Sequence, residues 1–398
     1  MKVLHVMKAI PYPPRDGFRS DIWDRIHSMR RLGYFLHVLV TMREGEVDEA
    51  SLAKLRSTVD RVDLVERTPK FQSFATLKPT LIASNNSLAN FPLSGEYDLT
   101  LAESEHVTPI FDNPLLRTRI RVLRVHNNER KYMWELARAN KGPNWKLFFA
   151  AETLRYHLLG DKQYKKLDAL WFISKIEFET YSRSQLAQKV QPMWLPPSLN
   201  LKNMPRRTRS DSKRVLFVGG LANPLNQEGI RWYLSKVHPN LKSFPDYEFV
   251  IAGSAGKSES ARLLALEADG IDRCSVQLDI ENLNPLYDSC ALLINPMRNG
   301  SGVKMKTVHA VQHNIPLVTT TVGAEGSGLV DREHIRVADE PEEFLSAVSD
   351  LLSNPAMGDS MSDRAYRYLA ANYNSDENIE RLLNLLLGPS TKAEPVLG

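Results

Sequence analysis

The sequence predicts two doubly wound α/β domains, each a parallel sheet covered by helices on both faces. Three observations carry this. Short β-branched runs alternate with longer amphipathic ones along almost the whole chain. The alternation restarts near residue 214, after a Pro-, Ser- and Arg-rich stretch poor in core residues. At 398 residues, the chain exceeds what one core normally organises.

In the first half the strand candidates are KVLHVM (2–7), FLHVLVT (35–41), RVDLV (61–65), DLTLAE (98–103), RVLRVH (121–126) and ALWFIS (169–174). In the second they are RVLFVGG (214–220), EFVIAG (248–253), SVQLD (275–279), ALLINP (291–296), PLVTT (316–320) and IRVAD (335–339). Helical patterns such as 21–33, 226–241 and 260–270 lie between them, as in parallel sheets. The expected division is a first domain over 1–195, a linker over 196–213 and a second domain over 214–370. Residues 371–398 supply a last helix, expected to pack back on the first domain, and a frayed tail. Ser375 is the expected N-cap, with Asp376 and Glu377 in the first turn. Ligands in such folds sit outside the C-terminal strand ends, so the cleft between the domains is the expected site.

Composition narrows the class. Hydrophobic content of 42% and charged content of 25% are those of a globular protein. Cys274 and Cys290 cannot build a disulfide framework, and no CxxC spacing suggests a metal; a reducing cytoplasm fits. The N-terminal apolar run is too short for a signal peptide, and no stretch approaches the roughly 20 apolar residues of a membrane span. The chain is therefore expected to be cytoplasmic, or peripheral at the inner face of a membrane. The formal net charge is +4, and residues 130–166 hold nine Lys and Arg against three acidic residues, interleaved with aromatics. That stretch reads either as a solvated helical face or as a surface for anionic lipid headgroups. No nucleic-acid motif is visible.

The stretch NGSGVKMKTVHAV (299–311) follows a strand and precedes a helix expected near Val303. It is either a phosphate-holding loop or a plain turn. Lys304 and Lys306, two apart, should point to different helix faces. PPRDGFRS (13–20) follows the first strand; Asp16, Gly17, Phe18 and Arg19 either face the cleft or form a turn capped by Asp16 or Ser20. His126 ends a strand, with Asn127 and Glu129 after it, placed for proton transfer, for polarising a phosphate, or for capping. Glu103, with His106 beyond it, is a candidate base toward an acceptor hydroxyl.

Taken together, VLFVGGLANPLNQEGIRWY (215–233), YEFVIAGS (247–254) and 283–326 resemble the donor half of GT-B glycosyltransferases, specifically glycosyltransferase family four. IPYPPRDGFRS (10–20) and VHNNERKYMWELA (125–137) are similar to segments of the same family's first half. The resemblance implies a GT-B fold and retaining transfer from a nucleotide-diphosphate sugar, UDP- or GDP-linked, to a glycan, glycolipid or other hydroxyl acceptor. It implies surface polysaccharide or glycoconjugate synthesis, with no other cofactor. With no DxD at a strand end, no metal is expected. It implies donor contacts from Gly219, Gly220 and Asn223, from Asn299, Gly300, Ser301, Gly302, Val303, Lys304 and Lys306, and from His309 and Glu325. Lys304 and Lys306 would then carry the diphosphate charge, and His126, Lys306 and Glu103 are the catalytic candidates. The family usually carries Glu-x7-Glu here, and Ser301 and His309 occupy those positions. The departure keeps two further readings open, a catalytically weakened GT-B homologue acting as a partner or scaffold, and a sugar-nucleotide epimerase. The missing GxGxxG with its acidic partner argues against a dehydrogenase.

Overall fold

The computed structural model describes residues 1–14, 16–43, 45–69, 72–73, 76–139, 142–199, 212–280, 282–300 and 302–388. The first sheet has seven strands: β1 (Lys2–Met7), β2 (Phe35–Met42), β3 (Arg61–Glu66), β4 (Glu96–Ala102), β5 (Arg117–Val125), β6 (Ala169–Phe172) and β7 (Gln191–Trp194). Its order is β3-β2-β1-β4-β5-β6-β7, all parallel. The second sheet has six: β8 (Lys213–Val218), β9 (Tyr247–Gly253), β10 (Cys274–Leu278), β11 (Leu292–Asn295), β12 (Leu317–Thr319) and β13 (Arg336–Val337). Its order is β10-β9-β8-β11-β12-β13, also parallel.

Strand order reverses beside β1 in one sheet and beside β8 in the other, which opens a crevice at the strand ends between β1 and β4 and between β8 and β11. Both faces of each sheet are sealed. Val38, Leu99 and Trp171 lie in one core layer of the first sheet, and Leu4, Leu39 and Leu123 in the other. Phe217, Phe249 and Phe344 lie in one layer of the second, and Leu216, Leu293 and Leu317 in the other.

Six helices matter below: α1 (Gly17–Arg31), α2 (Glu129–Ala139), α3 (Pro143–Leu159), α4 (Pro224–Lys236), α5 (Met305–Gln312) and α6 (Ser375–Leu387). Although last in sequence, α6 lies against α1. Ile379, Leu382 and Leu383 enter the first domain's core beside Ile22, Ile26 and Met29, and Arg31 pairs with Asp376 at 2.7 Å. Two local expectations change. Asn374, not Ser375, occupies the cap position of α6, and the Ser375 hydroxyl donates to Ser198 instead. The edge strand β7, QPMW, escapes the sequence pattern because Pro192 interrupts it; proline is tolerated on a sheet edge. Much of the expected linker, residues 200–211, and the tail from 389 lie outside the described residues. Among the described residues no helix is long and apolar enough to cross a membrane.

Candidate active site

β1, β4 and β5 end side by side. Glu103, one residue past β4, continues the ladder by donating its N–H to the Val6 carbonyl at 2.8 Å. Its side chain is wholly buried. Arg25 of α1 grips both carboxylate oxygens, Nε to Oε1 at 2.7 Å and Nη2 to Oε2 at 2.9 Å. His5 Nε2 lies 2.6 Å from Oε1 and His126 Nε2 lies 3.1 Å from Oε2. The same guanidinium holds Asp21 at 2.6 Å, and Arg124 approaches Asp21 at 3.1 Å. Arg124 also reaches the Leu195 and Pro196 carbonyls, and the Ser198 N–H donates to Asp21 at 2.7 Å. Two guanidiniums thus balance two carboxylates where water is excluded, and their hydrogen bonds offset the desolvation cost.

This arrangement corrects the reading of Glu103 as a base. Burial alone would raise its pKa, but the Arg25 charge and the bonds from His126 and His5 hold it well below the usual carboxylate range. Both oxygens are taken, so it has no free face for an acceptor hydroxyl. Asp21, Glu103 and His126 offer ligand atoms within 4.8 Å of one another, as a metal site would. The guanidiniums already fill both carboxylates, so the set does not fit a divalent cation. Asp21, Arg25 and Arg124 were missed in the sequence. Their signal was a charge embedded in an apolar strand, RVLRVH, and an i,i+4 pair on the inner face of a helix.

His126 is only 8% exposed, at the edge of the network. Burial lowers its pKa despite Glu103, so the ring is neutral near pH 7. Phe18 packs on it at a centroid distance of 4.8 Å, and Lys8 Nζ lies 4.6 Å from the same phenyl ring. Lys8 also meets His106 Nδ1 at 3.0 Å, whose other nitrogen lies 3.7 Å from Glu129. Asp16 caps α1 by accepting the Arg19 N–H at 2.9 Å. The Arg19 side chain bonds Asp16 and the Ile10 carbonyl, so this part of the loop is a capped turn.

Across the cleft, the Gly-rich loop leads to α5, which begins at Met305 rather than Val303. Gly300 and Gly302 have φ of +126° and +75°, conformations an L side chain resists. Asn299 is turned aside, its amide donating to Glu228 of α4 at 2.8 Å. The two lysines diverge as their spacing requires. Lys304 Nζ donates to the Gly302 carbonyl at 2.6 Å and lies 3.5 Å from Glu325, which Lys131 of the first domain meets at 3.0 Å. Lys306 reaches the other way, to Asn226 Oδ1 at 2.5 Å, over the Phe217 ring and beside Gly219. Burial, with Lys304 adding to it, pulls the Lys306 pKa down to about 7. Asn223 caps α4 and Gly220 lies against Ser254. His309 is half-buried, its pKa pushed down to about 4 by burial and by His313. Ser301 lies outside the described residues; Val303 is half-buried.

The two halves touch at these points. A Cβ on Gly302 would fall 2.5 Å from Asn127 Oδ1 and 2.7 Å from the His126 carbonyl. One on Gly17, the first residue of α1, would fall 2.4 Å from Met305 Cγ. One on Gly326 would fall 2.5 Å from Ser174 Oγ. The backbone at His126 and Asn127 of one domain and the glycine loop of the other are therefore in direct contact.

The profile of the family described as glycosyl transferases group 1 matches residues 212–354. An uncharacterized 44.6 kDa protein in the cps region of Klebsiella pneumoniae is 31% identical over 385 residues, covering 94% of this chain and 97% of that one. Among solved structures, S. aureus TarM in complex with UDP and alpha-GlcNAc-glycerol superposes with a TM-score of 0.67 at 11% identity, over 97% of this chain and 100% of that one. Sucrose-phosphate synthase from Thermosynechococcus elongatus gives 0.67 at 14%, over 98% and 100%. Anabaena HepE with UDP and glucose gives 0.65 at 13%, over 98% and 100%. These structures share the two-domain GT-B fold seen here. The full-length relative, the matching donor-half profile and the glycine loop at the domain boundary together establish that this chain belongs to the glycosyl transferases group 1 family and is a glycosyltransferase.

Proposed function

We propose that the chain moves a sugar from a nucleotide-diphosphate sugar to a hydroxyl of a glycan or lipid-linked acceptor, with retention, in polysaccharide or glycoconjugate synthesis. The apposition of neutral His126 and the Gly300–Lys306 loop across one cleft carries this reading. The donor sugar lies beside this contact, within reach of both sides. As the glycosidic bond breaks, negative charge grows on the departing diphosphate. Lys306 and the first-turn N–H groups of α5 face that charge, and fixed donors of this kind lower the barrier most. They are positive without a metal, so transfer should persist in EDTA. His126 offers its imidazole to a donor hydroxyl or phosphate, and Glu103 positions that ring. Ser301 and His309 take sugar and ribose hydroxyls by neutral hydrogen bonds, weaker than the charge-assisted bonds of a glutamate. UDP in the TarM and HepE structures and the cps-region relative support the donor class and a glycan product.

A thermal-shift screen against UDP-, GDP-, ADP- and CMP-sugars tests this. The true donor raises the melting temperature by mass action, and Lys306→Met removes the shift. No shift with any of them at millimolar concentration would refute donor binding. A shift without sugar transfer or donor hydrolysis would favour a binding-only homologue.

A further inference from the structure

From the α2–α3 hairpin we infer that this chain docks on an anionic lipid bilayer, independently of which donor it uses. Glu152 fixes the rotation of α3. It is buried and accepts from the Thr80 N–H and hydroxyl at 2.8 and 2.7 Å. Tyr156, one turn later, is buried on the same side. The opposite face is apolar and uncovered. Leu147, Leu154 and Leu158 are 74%, 58% and 56% exposed, with exposed Ala151 between them. At about 100° per residue these four positions fall within an arc of roughly 60°, so they form one stripe about 16 Å long. Trp145 at the start of α3 and Trp134 on α2 are also exposed, at 59% and 50%. On α2 the exposed residues Arg130, Trp134 and Arg138 follow one another at four-residue spacing.

Charge chooses the occupant. Residues 129–166, the hairpin and the turn that follows it, carry nine Lys and Arg against four acidic residues, net +5, whereas the whole chain carries +4, so the rest of the chain is slightly negative. Lys146, just before Leu147, and Lys162 and Lys165, in the turn after α3, are exposed. A second copy laid on the same face would bring like charges together, whereas anionic headgroups neutralise them. An exposed leucine stripe with lysines near its ends suits a helix lying at the headgroup–acyl boundary. The hairpin begins at Glu129 and Lys131, which border the cleft, so docking sets the acceptor side of the site beside the bilayer.

Flotation of the full-length protein with phosphatidylglycerol–phosphatidylcholine vesicles tests the inference without reading activity. The wild type should float with the mixed vesicles and not with phosphatidylcholine alone. Leu154→Glu/Leu158→Glu should abolish flotation with little change in melting temperature, because both side chains are already more than half exposed. Lys162→Gln/Lys165→Gln should weaken partitioning roughly 30-fold, at about fivefold per basic residue. Equal flotation of wild type and the leucine variant, or equal affinity for neutral vesicles, overturns the proposal. So does a wild-type dimer in light scattering that the leucine variant dissociates.

Discussion

Lys306 gives the sharpest test of how the site holds its donor. Its amine sits over Phe217 and against Asn226, with Lys304 as the neighbouring cation, and its pKa falls to about 7. A sugar-linked diphosphate has no phosphate group titrating near neutrality, so its two negative charges are constant from pH 6 to 9. Bound opposite Lys306, they favour the ammonium form and raise its pKa. Binding is therefore strongest where Lys306 is already protonated, below about pH 7, and weakens as pH rises, because each binding event must then capture a proton. If the complex keeps the ammonium throughout, affinity drops roughly 50-fold between pH 7 and 9, or about 2.3 kcal/mol. At pH 8 about 0.9 proton is taken up per donor bound, and at pH 6 about 0.1. Titration calorimetry in buffers of different ionisation enthalpy reads this number directly, using the sugar nucleotide selected by the thermal-shift screen. Lys306→Met should abolish the pH-dependent uptake. Uptake near zero at pH 8, or uptake that survives Lys306→Met, would refute the placement of the diphosphate at Lys306.

Glu103→Gln removes one carboxylate from the buried network and leaves the Arg25 guanidinium undercompensated, which should cost about 3–5 kcal/mol in urea unfolding. A loss below about 1 kcal/mol would mean that the network contributes little. Asp21 and Glu103 both have folded pKa values depressed below their unfolded ones. Their contribution is therefore complete above an unfolded carboxylate pKa of about 4 and is lost as pH falls through the lower folded values. Acid titration of the wild type should show that loss beginning near pH 4, and Glu103→Gln should flatten it. Gly302→Ala places a methyl group against Asn127 and His126 at a φ of +75°. It should cost about 1–3 kcal/mol locally and separate the domains, seen as a larger radius of gyration in small-angle scattering and a higher KM for donor. An unchanged scattering profile and KM would argue against the domain contact.

The doubly wound architecture was legible because alternation of short β-branched and longer amphipathic runs is a local signal, and twelve of the thirteen strands among the described residues carry it. The glycine loop was legible for a similar reason, since a strand end, Gly-x-Gly and an apolar helical run follow each other within 20 residues. The divergence of Lys304 and Lys306 follows from spacing alone. Glu103 was not legible in its role. Its place at a strand end could be read, but Arg25, the partner that removes its basicity, lies 78 residues away. Burial and long-range pairing decide what a carboxylate does, and neither is a property of its neighbours in sequence.

The placement of α6 has a consequence for how the chain is made. The first domain is encoded first, yet Ile379, Leu382 and Leu383 complete its core, and Ser375 reaches Ser198 at the same seam. Synthesis runs from the N-terminus, so α1 leaves the ribosome with an uncovered apolar face that its own half of the gene cannot cover. The first domain waits for the second to be translated before it can close, and a chain released early, even one retaining every strand of both sheets, would expose that face to whatever else is in the cell.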